Sequence, residues 1–183
     1  LGDVYKRQVQ GPVDYTPGAY RNATREGFRI DYRNPMSQGT RAHQVAAYVV
    51  FDAPLVMLCD SPTRYMADEA CTRFIASLPV VFDTTRVLAG EIGEYIVTAR
   101  KRQDCWYVGG LTGWTPRTLD VDLSLLDPGR EYTATLLADD GRSAAEPARY
   151  VLSTQRVTSA TRLQIPVAPG GGFALKIEPA DNK

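Results

Sequence analysis

Residues 94–114, EYIVTARKRQDCWYVGGLTGW, decide how the second half of the chain folds. Two runs rich in β-branched and aromatic residues, 95–99 and 105–111, flank the polar segment RKRQD at 100–104, which is a hairpin signal. Successive strand residues point to opposite faces. Tyr95, Val97 and Ala99 therefore share one face, with Ile96, Thr98 and Arg100 on the other. Trp106 and Val108 likewise lie opposite Cys105, Tyr107 and Leu111. Neither face is wholly polar, which predicts a central strand pair covered on both sides, as inside a β-sandwich. Gly109-Gly110 predicts a bulge or a close backbone approach.

Outward from the hairpin, further candidate strands fall at 80–88, 117–123, 130–138, 149–153, 161–167 and 173–178, with Gly, Pro and Asp between them. Short strands at this spacing predict an antiparallel sandwich over 80–183. In 117–123, Leu119, Val121 and Leu123 face in while Asp120 and Asp122 face out and discourage edge pairing. Those two aspartates lack the further oxygens that calcium needs. Glu91 and Glu94 flank Ile92-Gly93 as turn residues. Gly170-Gly171-Gly172 lacks the Lys and Ser/Thr of a phosphate loop and reads as a tight turn. Trp106, Tyr107 and Trp114 offer two readings: core packing, which alternation favours, or a sugar-stacking platform if both tryptophans share an exposed face.

The first 79 residues have a different texture. The chain opens LGDVYKRQ, without Met and without a charged-then-apolar leader, which predicts a fragment; residues 1–8 resemble a translated sequencing adapter. GPVDYTPG (11–18) reads as a bent loop carrying one carboxylate, Asp14, suited either to the rim of a site or to capping a turn. Arg21, Arg25, Arg29 and Arg33 recur every four residues, but Gly27 and Ile30 weaken a helix and Glu26 and Asp31 offset the charge, so 19–34 reads as a solvated loop. Ser37 or Thr40 can cap a helix over 40–51 whose Ala42, Val45, Ala46, Val49 and Val50 form one apolar stripe. A further helical piece, 67–78, carries Asp68 and Glu69 in its first turn and stops at Pro79.

Of 183 residues, 44% are hydrophobic and 23% charged, the balance of a globular protein. Lys plus Arg and Asp plus Glu are both 21, so no basic field for nucleic acid or an anionic membrane arises. The longest apolar run, 45–58, is too short and too polar to span a bilayer. Cys59, Cys71 and Cys105 are an odd number without metal spacing and read as buried or half-buried thiols. His43, the sole histidine, has no neighbour to orient it for acid–base work and reads as a packing or surface residue.

Four motifs in order, GPVDYTPGAYRNATREGF, GTRAHQVAAYVVFDAPLVMLCDSPTRY, CTRFIASLPVVFDTTRVLAGEIGEYIVTARKRQDCWYVGGLTGWTPR and APGGGFALKI, resemble the carboxy-terminal part of glycoside hydrolase family 97 enzymes from about residue 10 to 177. The resemblance implies an α+β fragment: residues 9–79 the last helical part of a (β/α)8 barrel, and 80–183 an antiparallel β-sandwich. It implies a parent that cleaves α-glucosidic or α-galactosidic bonds in oligosaccharides with calcium in its site, in the periplasm or secreted. The catalytic carboxylates and calcium ligands would lie upstream, so no catalytic or metal residue carries over; Asp14 alone would sit near the sugar, on a loop at the barrel's catalytic face. Two expectations follow. The fragment is inactive alone, or else is a non-catalytic sugar-binding or scaffold sandwich. And Val45, Val49, Phe74 and Ile75, evolved against a barrel and N-terminal domain that are missing, leave an uncovered surface on a helical part less stable than the sandwich.

Overall fold

The computed structural model describes Pro12, Tyr15, Thr16 and residues 18–180. Its centre is one antiparallel sheet of β3 (Thr84–Glu91), β4 (Tyr95–Arg102), β5 (Cys105–Thr112), β7 (Tyr132–Ala138), β8 (Val151–Val157) and β10 (Gly172–Pro179), in the order β3-β4-β5-β10-β7-β8. The last strand of the chain thus lies in the middle, pairing β5 on one side and β7 on the other. A smaller antiparallel pair, β6 (Arg117–Asp122) and β9 (Arg162–Val167), faces it. Between these layers lies a core that includes Val97, Trp106, Val108, Leu119, Val121, Leu123, Tyr132, Phe173 and Ile177.

The opposite face of the large sheet is covered by helix α1 (Arg41–Val50), which lies over β5 and β10. Its stripe residues Ala42, Val45, Ala46, Val49 and Val50 are all buried, in a second core shared with Tyr107, Leu137 and Ala174 and a third with Leu111. The hairpin therefore divides its side chains as its alternation predicts: Val97, Ala99, Trp106 and Val108 towards the sandwich core, Ile96, Arg100, Tyr107 and Leu111 towards the helix. Gly109 and Gly110 are the close approach. A Cβ on Gly109 would stand 2.9 Å from the Ala46 carbonyl oxygen, and one on Gly110 would meet the Phe173 ring. No bulge interrupts the β4–β5 register; the bulge is in β3, between Val87 and Ala89.

Three sequence expectations need correction. The polar run 100–104 is not all loop: β4 runs to Arg102, paired with Cys105, and the turn is Gln103-Asp104. Asp83 holds that turn, accepting from the Gln103 amide at 2.8 Å and Arg102 at 2.7 Å. The first sandwich strand begins at Thr84, since Val80 and Val81 are half exposed and only Asp83 onward bonds to β4. The helix expected over 67–78 is the shorter α3 (Glu69–Ala76), capped by the Asp68 carboxylate through the Cys71 amide, and a separate short helix, α2 (Pro62–Ala67), precedes it.

The amino-terminal third holds the parallel pairings seen among the described residues: β1 (Asn22–Ala23) with β2 (Ser37–Gln38), and Tyr15 with Val56. They close no barrel. The expected uncovered stripe is also displaced: Val45, Val49 and Phe74 are buried, because the sheet itself takes the place the missing barrel was assigned. What stands exposed instead is Phe28, Ile30, Tyr32, Leu55, Met57, Leu58 and Met66.

Candidate functional site

The cleft with the most chemistry lies where α1, the turn before β10 and the 24–26 loop meet. Thr40 is the N-cap of α1, its hydroxyl accepting from the His43 amide at 3.1 Å while its own amide donates to the Gly170 carbonyl at 3.0 Å. The turn Pro169-Gly170-Gly171 needs glycine twice. Gly170 has φ +62°, and a Cβ there would stand 2.5 Å from the Trp114 ring; one on Gly171 would run into Asp139. Asp139, buried at the end of β7, accepts from the Ala168 and Gly172 amides through Oδ2 at 2.9 and 3.0 Å, while Oδ1 has no partner. Burial pushes its carboxyl above the usual range, against the pull of the hydrogen bonds it receives.

Trp114, 36% exposed, is one wall of an open cleft of about 310 Å³ that Thr24, Arg25, Glu26 and Thr40 also line. The Arg25 guanidinium lies 5.7 Å from the centre of its ring. With Gly170 beneath the ring and Arg25 over it, the indole is engaged by the protein itself. The tryptophan platform is not formed: Trp106 is sealed in the sandwich core, Tyr107 packs beneath the helices at an edge-on contact with Phe82, and neither joins Trp114.

Asp14 lies outside the described residues. His43 packs against the glycine turn, its Nδ1 donating to the Gly171 carbonyl at 3.0 Å, with burial holding its pKa below the ordinary value. Asp120 is exposed; Asp122 accepts from the Ser124 amide and pairs with Arg162. Glu94 pairs with Arg117. Cys59, Cys71 and Cys105 are free thiols, Cys71 buried, Cys105 half-buried and Cys59, contrary to the buried reading, exposed. Among the described residues no three His, Cys, Asp or Glu side chains converge as a metal site.

Sequence reasoning missed two buried arginines that fix this geometry. Arg41 donates to Asn22 Oδ1 at 2.7 Å, Asp68 Oδ2 at 2.6 Å and the Tyr20 carbonyl, and its guanidinium lies 4.0 Å from the Tyr20 ring centre. Asp68 also accepts from the Tyr150 hydroxyl, which ties α3 to the approach to β8. Arg100 reaches from β4 to the last carbonyl end of α1, donating to Phe51 O at 2.9 Å and Asp52 Oδ1 at 2.8 Å, where a cation complements the helix dipole. Its signal was an arginine on the inward-facing side of a strand beside Ile96 and Thr98. The arrangement clamps the layers together.

A family model described as glycosyl-hydrolase 97 C-terminal, oligomerisation, matches residues 81–178. The chain is 48% identical over 172 residues to a retaining α-galactosidase of Bacteroides thetaiotaomicron, which spans 94% of this chain and 26% of that protein. It is 30% identical over 173 residues to a probable retaining α-galactosidase of Streptomyces bingchenggensis, covering 93% of this chain and 24% of that one. The chain thus spans about a quarter of the length of these relatives. Its fold superposes on a glycoside hydrolase family 97 enzyme of Pseudoalteromonas sp. strain K8, solved with acarbose, with a TM-score of 0.75 and 29% identity over 78% of this chain and 23% of that one.

Proposed function

Because this chain belongs to the carboxy-terminal domain family of glycoside hydrolase 97, we propose that it is the non-catalytic closing part of a retaining hydrolase of α-galactosides. The observation that carries this reading is the 48% identity to a retaining α-galactosidase along nearly the whole chain. A retaining parent needs two carboxyl groups about 5 Å apart across the scissile bond, and these would be supplied by the part of the enzyme that this chain does not include. Calcium, which the family resemblance implies, would be held there too. Export to the periplasm or beyond the cell is part of the same proposal.

In this reading residues 9–79 are the end of the parent's catalytic barrel, with 67–79 leading out of it. The parallel pairings of the first 60 residues support that, since parallel strands belong with helical crossovers. So does the exposed apolar set from Phe28 to Met66, which the parent's other domains would cover. The sandwich is then a packing and assembly domain, in keeping with the oligomerisation in the family's description. A sugar-binding sandwich is less well supported, because Trp106 is buried and Trp114 is held by Arg25 and Gly170.

The test is an assay of the complete parent and of this chain on aryl α-galactoside and aryl α-glucoside, with and without a calcium chelator. The expected outcome is chelator-sensitive release from the galactoside by the parent alone. Activity in this chain, or a parent that cleaves only the glucoside, would overturn the proposal.

A further inference from the structure

A sheet that ends in solvent has unpaired N–H and C=O groups along its outer strands, and proteins defend such edges with charges, prolines and bulges. Of the four edge strands of the sandwich, three are defended. β3 carries the Val87/Ala89 bulge together with Arg86 and Glu91. β6 carries Arg117, Asp120 and Asp122, and β9 carries Arg162 and Pro166. β8, VLSTQRV, has no proline, no bulge and one charge, Arg156. Its register with β7 is unbroken over seven residues, and its first six residues are exposed on both faces of the sheet, with Val151 and Leu152 each at 43%.

We propose that β8 is the assembly edge of this domain, and that its occupant is β8 of a second copy, joined antiparallel across a twofold axis into one continuous sheet. The proposal rests on the assembly role inferred above and deepens it by naming the surface. A twofold interface sets the same strand against itself. The register that pairs every residue puts Thr154 opposite its own counterpart, Ser153 opposite Gln155, Leu152 opposite Arg156 and Val151 opposite Val157. In that register the single charge meets an aliphatic side chain, whose surface the arginine stem can cover. The two Arg156 side chains stand four residues apart along the strand, about 13 Å, beyond a Debye length at physiological salt. No like charges face each other, and polar Thr, Ser and Gln pair at the centre, where cross-strand hydrogen bonds are favourable.

Sedimentation of this chain tests the proposal, beside Leu152→Lys combined with Thr154→Lys, and Val87→Lys on β3 as the control edge. Wild type and control are expected to sediment at twice the 20.2 kDa chain mass, and the double variant at that mass with unchanged circular dichroism. A dimer that persists in the double variant overturns the β8 edge while leaving an assembly role intact. A wild type that stays monomeric at every concentration overturns both. Should the double variant not fold, hydrogen exchange of the wild type at about 2 and about 200 μM decides: slower exchange in β8 but not β3 at the higher concentration is required, and unchanged exchange in β8 overturns the proposal.

Discussion

At the scale of single residues, much of what holds the chain together is polar groups bonded to backbone. His43 is a case with a pH consequence. Its Nδ1–H is spent on the Gly171 carbonyl, and burial favours the neutral ring. The fold therefore binds a proton at His43 less readily than the unfolded chain does, so its contribution is complete above the ordinary value of about 6.5 and is lost as pH falls below it. Denaturant unfolding between pH 8 and pH 5 should show declining stability in the wild type and a shallower decline in His43→Gln; equal slopes would refute this. The sequence read His43 as a packing or surface residue, and its seat against the glycine turn is the packing one. Arg41, Arg100 and Asp139 were not legible as buried anchors. Their partners lie far away in sequence: Asn22, Asp68 and the Tyr20 carbonyl for Arg41, Asp52 and the Phe51 carbonyl for Arg100, and the Ala168 and Gly172 amides for Asp139, and pairings over such separations leave no mark in an amino-acid string.

At the scale of elements, the contact of α1 with β5 depends on the missing side chain at Gly109. An added Cβ would stand 2.9 Å from both the Ala46 carbonyl oxygen and Val50 Cγ2 and 3.0 Å from Val49 Cβ, so the helix must lift from the sheet. Gly109→Ala should cost about 1–3 kcal/mol by overpacking. Gly141→Ala, with nothing within 4 Å, should stay within about 0.5 kcal/mol. Urea unfolding of both variants measures the difference, and equal midpoints would mean that the helix is not seated as described. Periodicity and turn chemistry sufficed to place the eight strands from Thr84 onward and the apolar stripe of α1, since both come from local spacing, although β8 runs on to Val157 where the expected strand stopped at Ser153. The end of β4 was misjudged for a physical reason: Arg100-Lys101-Arg102 has loop composition, but Arg100 finds its acceptors at the end of a helix nearly fifty residues earlier. Such a partner is a fact of tertiary structure.

At the scale of the whole molecule, the large sheet carries the sandwich core on one face and two helix-side clusters on the other, which argues against a weakly held α1. α1 is buried along the sheet, locked at its start by the Thr40–Gly170 bond and at its end by Arg100. Native-state hydrogen exchange should find the amides in the interior of α1 opening only with those of β4 and β5, in one cooperative unit. Independent, easier opening of the helix would separate the two. The chemistry proposed for the parent was not legible from this chain at any scale, because a site assembled from several elements is specified by residues far apart in sequence, and Asp14 lies outside the described residues. The position of β10 has a consequence for synthesis. While residues 84–167 leave the ribosome, β5 and β7 each have an inner edge with no strand to accept, and the two halves of the sheet cannot join. Only when residue 179 clears the exit tunnel does the central strand arrive, so a nascent chain stalled short of it would hold two open half-sheets, each a surface for a chaperone or a neighbouring chain to seize.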